Sequence, residues 1–182
     1  MCRFALVINK YNKFRTDQIK CILWRESNSI FTNQSYGKSY TPDDMENCNN
    51  REVNLDGFGI GWRSVDKKKT YVYKNIIPSW NDSNFLEIVD LIDTKFILAH
   101  IRATDALNKS STINSNKHTS VNIQNCHPFK YKDWLFCHNG AISGFSTDGS
   151  IKKRIINKIS DKYIKNITGT TDTEYLFYLI LS

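Results

Sequence analysis

Short apolar runs separated by polar segments set the pattern of this chain, and several of them have the length of strands. Residues 2–8 are rich in β-branched and aromatic side chains, and residues 95–102 ("KFILAHIR") form a continuous apolar run. Both are predicted as strands, the second buried on both faces. Further strands are predicted at residues 55–64, which contain three glycines, at 71–73 and at 134–137, the last in a sheet interior.

Helical periodicity marks four other segments. Residues 17–25 are predicted as a helix capped by Thr16, and a second helix is predicted to start at Asn84. Residues 151–167 carry one apolar stripe with lysines opposite, which predicts a single helix. Residues 171–174 form a capping box ahead of a final apolar helix. Strands at the start and in the middle, with helices between and after them, favour a layered α+β fold over a parallel βαβ array.

Two polar stretches, residues 27–52 and 108–122, are predicted as loops. The first is long enough that we expect it to line a site, because long loops without secondary structure are uncommon in compact domains unless they have a function. The second is predicted to be a surface loop.

Size and charge narrow the class of protein. The chain has 182 residues, the length of one domain. Its 25 Lys and Arg against 18 Asp and Glu give +7, but the lysines are scattered among Asn and Ile, so we expect no nucleic-acid partner. No export signal and no apolar run of roughly 18 residues is present, so no membrane partner is expected. Five cysteines without an export signal favour reduced thiols in a cytoplasmic compartment.

Polar residues at the ends of apolar segments are the candidates for chemistry, because a regular element holds its terminal side chains at a rigid rim. They are Cys2, Arg102, the pair Asn139 and Gly140, and Asp172. Each has a structural alternative. The cysteine could be a small packing residue, the arginine an ion-pair partner, the Asn-Gly pair a turn joining two strands, and the aspartate a favourable charge at a helix N-terminus.

Together these residues suit the cleavage of a glutamine side-chain amide. Once the initiator methionine is removed, Cys2 would carry a thiol nucleophile and an α-amine, whose ordinary pKa of about 7.7 to 8.0 suits a general base. The Asn139 amide and the Gly140 N–H are suitable donors to an oxyanion. Arg102 could pair with the substrate carboxylate and Asp172 with its ammonium.

A family resemblance is carried by six segments in this order: "MCRF", "DGFGIGW", "AHIRATD", "NCHPF", "CHNG" and "GTTDTE". They resemble the class II glutamine amidotransferases, which are N-terminal-nucleophile hydrolases. Within that family, the start of the chain, the stretch at 29–35 and "NCHPF" most resemble the amidotransferase-like subunit of the fungal glutathione-degradation complex and its bacterial relatives.

The resemblance implies a four-layer αββα sandwich and a role for each candidate. Cys2 would be nucleophile and base, Asn139 and Gly140 would hold the oxyanion, and Arg102 and Asp172 would bind the α-carboxylate and α-ammonium. The substrate would be a small γ-glutamyl compound, either glutamine or a γ-glutamyl peptide such as glutathione, cleaved through a thioester that water resolves. The resemblance implies no cofactor and no metal, and it is compatible with a partner subunit.

Three features depart from the family pattern. Many members that feed ammonia to a synthase have Trp directly after this arginine. Here Ala103 follows Arg102, as in the glutathione-degrading branch. The loop at 108–122 is longer than usual. We expect residues 1–182 to form one amidotransferase-type domain that is short at its C-terminal end, which would expose apolar faces and an unpaired strand edge.

Two other functions fit parts of the sequence. Cys126-His127 and Cys137-His138 are Cys-His pairs of the kind that bind zinc. Adjacent side chains on a strand point to opposite faces, which disfavours a shared ion. The other alternative is a non-catalytic, amidotransferase-like subunit that acts as an interaction or regulatory protein.

Overall fold

The structure is a computed structural model that describes residues 2–25, 29, 31, 56–102 and 120–182. Most of both predicted loops therefore lies outside the described residues, as does Cys48. Within the described part of the chain, no helix has the length and apolar character needed to cross a bilayer.

Within the described residues, six strands form two antiparallel sheets. The strands are β1 (Arg3–Ile8), β2 (Phe58–Ser64), β3 (Thr70–Asn75), β4 (Thr94–Ile101), β5 (Phe129–Tyr131) and β6 (Trp134–Phe136). The larger sheet has four strands in the order β1-β4-β2-β3, and the smaller is the β5–β6 hairpin. Each predicted strand position is confirmed, and β5 is an additional strand that the pattern did not predict.

Five α-helices, one π-helix and two 3-10 helices complete the described structure. The α-helices are α1 (Thr16–Lys20), α2 (Ser83–Val89), α3 (Gly149–Ile156), α4 (Asp161–Ile164) and α5 (Asp172–Ile180). A π-helix continues α1 over Cys21–Arg25, and 3-10 helices cover Ser79–Asn81 and Ile123–Asn125.

Two predicted helix starts were wrong. Thr16 is the first residue of α1 rather than its cap, and the Gln18 side chain accepts the Arg15 backbone N–H at 3.0 Å. The cap of α2 is Asp82, whose carboxylate accepts the Phe85 backbone N–H at 3.1 Å. An aspartate at this position satisfies a donor that the helix leaves unpaired, so the cap lies two residues before Asn84 and the helix begins at Ser83.

The single helix predicted over 151–167 is also wrong, because α3 and α4 are separate. After α3 the backbone bonds tighten to the i−3 type, and the Ile159 N–H donates to the Ile156 carbonyl at 3.0 Å. The Ser160 N–H donates instead to the Ser182 hydroxyl at 2.9 Å, which takes it out of the helical ladder. The apolar stripe still packs on one core, because Ile159 and Tyr163 are both buried there.

One face of the four-stranded sheet packs against α1 and α2. Alternate residues of β2 and β4 point to this face and are buried with the helices in one apolar cluster: Ile19, Leu23, Phe31, Phe58, Ile60, Trp62, Phe85, Val89, Ile92, Ile97, Ala99 and Ile101. Because both strands are central in the sheet, this cluster is the larger core of the molecule.

The opposite face is approached closely by the segment that leads into the hairpin. A Cβ atom on Gly59 would lie 2.1 Å from the His127 carbonyl oxygen, and one on Gly61 would lie 2.8 Å from the Leu135 side chain. The two glycines are therefore required where the second sheet lies against the first. Further along this face, β1 leaves apolar side chains exposed: Phe4 48%, Leu6 55% and Ile8 65%.

The hairpin packs on its other side against α3, α4 and α5. Phe129 of β5 is buried in a second cluster with Ile159, Tyr163, Phe177 and Tyr178. The prediction of an interior strand at 134–137 was wrong, because in the described structure β6 pairs with β5 alone and Trp134 is 64% exposed. The strand β4 is buried on both faces toward its end, as predicted, but Lys95 at its start is exposed.

Candidate active site

The start of β1 and the end of β4 lie side by side. The strands are antiparallel with Arg3 opposite Ile101, so Cys2, which precedes β1, lies at the same end of the sheet as Arg102, which follows β4. The Arg102 backbone N–H donates to the Gly57 carbonyl at 2.8 Å, which fixes it against β2. Strand register thus brings two of the predicted site residues to one rim.

Asn139 contacts Cys2 directly. Its Nδ2 donates to the Cys2 carbonyl oxygen at 2.9 Å, and Arg3 Nη1 donates to the same oxygen at 3.1 Å. The structural alternative for Asn139 and Gly140, a turn joining two strands, is wrong, because the hairpin turn lies at 132–133 and the pair follows the hairpin.

The segment that carries this pair is fixed to the N-terminus of α5 at two points. The Ile142 N–H donates to Asp172 Oδ2 at 2.5 Å, and His138 Nδ1 lies 3.2 Å from Thr173 Oγ1. Asp172 is the first residue of α5, as the sequence predicted. Its carboxylate therefore has a structural task that sequence reasoning missed, since it holds the segment containing the candidate oxyanion donors.

The predicted capping box of α5 is half formed. The Thr171 hydroxyl accepts the Glu174 N–H at 3.4 Å, as predicted. The Glu174 carboxylate does not return to the cap, and instead accepts the backbone N–H groups of Thr168 at 3.0 Å and Gly169 at 2.6 Å. Glu174 is 3% exposed, so it fixes the turn that precedes α5 from the inside.

Asn125 is a buried polar residue for which the sequence predicted no role. Its Nδ2 donates to the Ser120 carbonyl at 3.0 Å, and Arg102 Nη2 donates to the same oxygen at 3.1 Å. Its Oδ1 accepts the Thr170 N–H at 2.9 Å. Its place in "NCHPF" was the one available signal, and that motif did not indicate which groups the amide would join.

Two histidines are in contact between the larger sheet and the segment that leads into the hairpin. His127 Nδ1 lies 2.8 Å from His100 Nε2, and the rings meet edge to face. Burial lowers the pKa of His100 to about 3, with a smaller contribution from the nearby Arg102 charge. Burial also lowers the pKa of His127 well below its ordinary value, and the neighbouring His100 and Lys74 act in the same direction. Both rings are therefore neutral at pH 7.

Two other thiols near the site are held in their protonated form. Burial raises the pKa of Cys126, although the Arg102 and Lys74 charges oppose this shift. Burial raises the pKa of Cys137 as well. Since the thiolate is the reactive form of cysteine, both are poor nucleophiles at neutral pH.

The metal alternative can be examined only over the described residues, where no three His, Cys, Asp or Glu side chains are placed to hold one ion. What the rim does bring together is a thiol residue, a side-chain amide in contact with it and a buried guanidinium at the neighbouring strand end. Asp172 is linked to this rim through the 138–142 segment. These are the group types needed to attack a carboxamide and to recognise an amino acid.

Comparison with known proteins identifies a family for the chain. Residues 44–182 match the family described as "Glutamine amidotransferases class-II". The whole chain is 32% identical to "Probable glutamine amidotransferase DUG3" of Saccharomyces cerevisiae over 185 aligned residues, which cover 45% of that protein. A solved glutamine aminotransferase class-II domain protein from Silicibacter pomeroyi matches with a TM-score of 0.50 and 27% identity, covering 69% of this chain and 46% of that one.

The chain spans about half the length of the relatives it matches. The family match nevertheless covers most of its residues, and the yeast relative aligns with all of them. The mixed α/β fold with antiparallel sheets agrees with that of the solved relative. By sequence and by structure, the chain belongs to the class II glutamine amidotransferases.

Proposed function

We propose that the protein hydrolyses a γ-glutamyl amide bond with Cys2 as the nucleophile. The observation that carries this proposal is the 2.9 Å hydrogen bond from Asn139 Nδ2 to the Cys2 carbonyl, because it sets a side-chain amide beside the nucleophilic residue. An amide NH2 has two hydrogens, so one N–H of Asn139 remains to meet an oxyanion. The Gly140 backbone N–H is the second donor.

The reaction begins once Met1 has been removed and the α-amine of Cys2 is free. This amine accepts the thiol proton, and the sulfur attacks the γ-carbonyl carbon to form a tetrahedral oxyanion held by Asn139 and Gly140. As the C–N bond breaks, the leaving nitrogen takes the proton from the α-ammonium. A γ-glutamyl thioester remains. Water, deprotonated by the same amine, then releases glutamate and restores the thiol.

The glutamyl end of the substrate is assigned to Arg102 and Asp172. Arg102 is 3% exposed, so a carboxylate that reaches it would pair in a largely dry environment. Asp172 Oδ2 accepts the Ile142 N–H, and Oδ1 accepts the Thr173 hydroxyl at 3.4 Å. A carboxylate oxygen has a second lone pair, and we assign that of Oδ1 to the α-ammonium. Glutamine and γ-glutamyl peptides such as glutathione share this end, so both are candidate substrates.

The fold that we propose for this site is the four-layer αββα sandwich. The contacts that support it run from α1 and α2 to the four-stranded sheet, from that sheet to the β5–β6 hairpin, and from the hairpin to α3, α4 and α5. In this arrangement Cys2 lies at the edge of one sheet and Asn139 follows a strand of the other.

Covalent labelling tests the proposal. An electrophilic diazoketone analogue of glutamine should add once to the full-length, Met-processed protein, at the sulfur of Cys2, and Cys2→Ala should abolish the addition. Cys21→Ala is the matched control, because Cys21 is also a partly exposed thiol and its loss should leave labelling unchanged. Labelling of Cys21 or Cys126 in place of Cys2 would contradict the proposal. Comparing the rates of glutamine and glutathione hydrolysis then identifies the substrate.

A non-catalytic, amidotransferase-like subunit is the second candidate. The exposed apolar row Phe4, Leu6 and Ile8 favours it, because contiguous apolar surface commonly marks an interaction site. Intact mass separates the two functions. If Met1 is retained, the α-amine of Cys2 is not free and the catalytic route is lost. If it is removed, the α-amine is free, and the labelling of Cys2 described above decides between the two functions.

A further inference from the structure

We propose that Asn125 is a positioning residue that sets the spacing between Arg102 and Asp172. These are the groups assigned above to the α-carboxylate and the α-ammonium of the substrate. The inference rests on the proposed function, because it concerns how the same site recognises a glutamyl group.

The Asn125 side chain is fully buried and its amide is used at both ends. Nδ2 donates to the Ser120 carbonyl at 3.0 Å and to Thr170 Oγ1 at 3.1 Å, while Oδ1 accepts the Thr170 N–H at 2.9 Å. A carboxylate of the same size has no donor, and an apolar side chain has neither donor nor acceptor. The position therefore calls for a short amide.

On one side, Asn125 holds the group that orients the buried guanidinium. The Ser120 carbonyl accepts from Asn125 and also from Arg102 Nη2 at 3.1 Å. A carbonyl oxygen has two lone pairs, so both donors can be satisfied at once. The bond from Arg102 is charge-assisted and is the stronger of the two, so displacing the Ser120 carbonyl would weaken one of the contacts that orient the guanidinium.

On the other side, Asn125 holds the turn that delivers Asp172. Thr170 lies two residues before Asp172, and both its backbone N–H and its hydroxyl contact the Asn125 amide. A Cβ atom on Gly169 would lie 2.5 Å from Asn125 Oδ1, so the turn is closely packed against the amide. One buried side chain thus connects the segment beside Arg102 to the start of α5.

The chemistry of the substrate explains why this connection matters. An α-carboxylate and an α-ammonium sit on the same carbon, so the two protein groups that meet them must keep a fixed separation. Losing the connection should weaken recognition of the amino-acid end and leave the reactivity of the Cys2 thiol unchanged. A residue that merely stabilised the fold would affect every reaction of that thiol alike.

Two reagents distinguish these roles in the full-length, Met-processed protein. The diazoketone analogue of glutamine carries the amino-acid end, and iodoacetamide does not. For Asn125→Ala we expect the diazoketone concentration at half-maximal labelling rate to rise about tenfold, the effect of losing roughly one net hydrogen bond. The maximal rate, and the iodoacetamide rate at Cys2 measured on the N-terminal peptide, should stay as in the wild type.

Asn166→Ala is the matched control, because the Asn166 side chain donates to nearby carbonyls of its own helix end, Lys162 at 3.1 Å and Tyr163 at 3.2 Å. This substitution should leave the labelling of Cys2 by the diazoketone and by iodoacetamide unchanged. An unchanged half-maximal concentration in folded Asn125→Ala, or an equal slowing by both reagents, would overturn the inference.

Thr170→Val tests the same connection if Asn125→Ala fails to fold. Thr170 is exposed, and the change removes the hydroxyl that accepts from Asn125 while keeping the backbone N–H. We expect the diazoketone concentration at half-maximal labelling rate to rise about twofold to threefold, since one of several hydrogen bonds is lost. No rise would overturn the inference. Failure of the proposed function gives a different result: Cys2 of the wild type would react with iodoacetamide but not with the diazoketone. That result would overturn both the proposed function and the positioning role of Asn125.

Discussion

The two faces of the four-stranded sheet are built from the same strands but are covered in different ways. On the face that packs against α1 and α2, here called the helix face, side chains such as Ile60 pack against Phe85 and its neighbours from α2. On the opposite face, here called the hairpin face, Gly59 and Gly61 have no side chains, and their place is taken by the His127 backbone carbonyl and by the Leu135 side chain, respectively. The helix face is held by buried apolar area, whereas the hairpin face depends on a close approach and on the histidine pair.

This difference matters because the candidate site is built where the two sheets meet. Asn139 follows the hairpin and contacts Cys2 at the edge of the larger sheet, so the distance between the sheets fixes the site. The helix face can tolerate changes of packing at a cost in stability. The hairpin face has less freedom, because a backbone carbonyl cannot adopt another rotamer.

The largest effect is expected on the helix face. Phe85 is fully buried and its ring centroid lies 5.0 Å from that of Phe58 and 5.1 Å from that of Tyr73. Phe85→Ala should lower the free energy of unfolding by about 3 to 5 kcal/mol in chemical denaturation, because it leaves a cavity. Leu86→Ala, at a neighbouring residue that is 48% exposed, should cost far less. Equal losses would remove the contrast between buried and exposed positions of α2.

The next largest effect is expected at the close approach. Gly59→Ala puts a Cβ atom 2.1 Å from the His127 carbonyl oxygen, so the sheets must separate, at a cost of about 1 to 3 kcal/mol or more in the free energy of unfolding. Gly149→Ala is the control, because a Cβ atom there meets nothing within 4 Å and alanine favours the helix. If Gly59→Ala were as stable as the wild type, the close approach would not limit this face.

The histidine pair predicts a dependence of stability on pH. The pKa of His100 is lowered to about 3, so between that pH and about 6.5 the unfolded state binds more protons than the folded state. Stability is therefore retained above this window and lost as the pH falls through it. From pH 7 to 5.5 the loss due to His100 should be about 1 kcal/mol. In His100→Leu the slope of unfolding free energy against pH should be shallower, and an unchanged slope would contradict this assignment.

The smallest effect is expected at the exposed end of the hairpin face. Leu6 is 55% exposed, so Leu6→Ser should change the free energy of unfolding by less than about 0.5 kcal/mol. The control is Ile97→Ser on the neighbouring strand, which is fully buried on the helix face and should cost several times more. A large loss at Leu6 would mean that this row is covered in solution, and dependence of that loss on protein concentration would show that another copy covers it.

The sequence predicted the strands and helices that build the helix face, because their apolar residues form recognisable runs along the chain. The strands at 2–8, 55–64 and 95–102 were found from apolar runs, and the start of α5 from its capping residue Thr171. Hydrogen bonds from backbone N–H groups to side-chain oxygens explain the errors at the helix ends. The cap at Asp82 and the bond from Ser160 to Ser182 are single side-chain contacts, which the periodicity of apolar residues does not predict.

The hairpin face and the site could be predicted only in part. The glycines of β2 were visible, but nothing local indicated that the His127 carbonyl would lie against Gly59. The candidate residues were found from their positions at the ends of elements and from a family resemblance. Their connections were not, because the bonds from Asn139 to Cys2 and from Thr170 to Asn125 join residues far apart in the chain.

The position of Cys2 decides how recombinant protein should be made. Cys2 stands one residue before β1, with Asn139 on its carbonyl oxygen. An affinity tag fused ahead of it would emerge at the rim shared with Arg102 and would convert the α-amine into a peptide bond. A tag at the C-terminal end of the protein leaves methionine aminopeptidase of the expression host free to expose the cysteine.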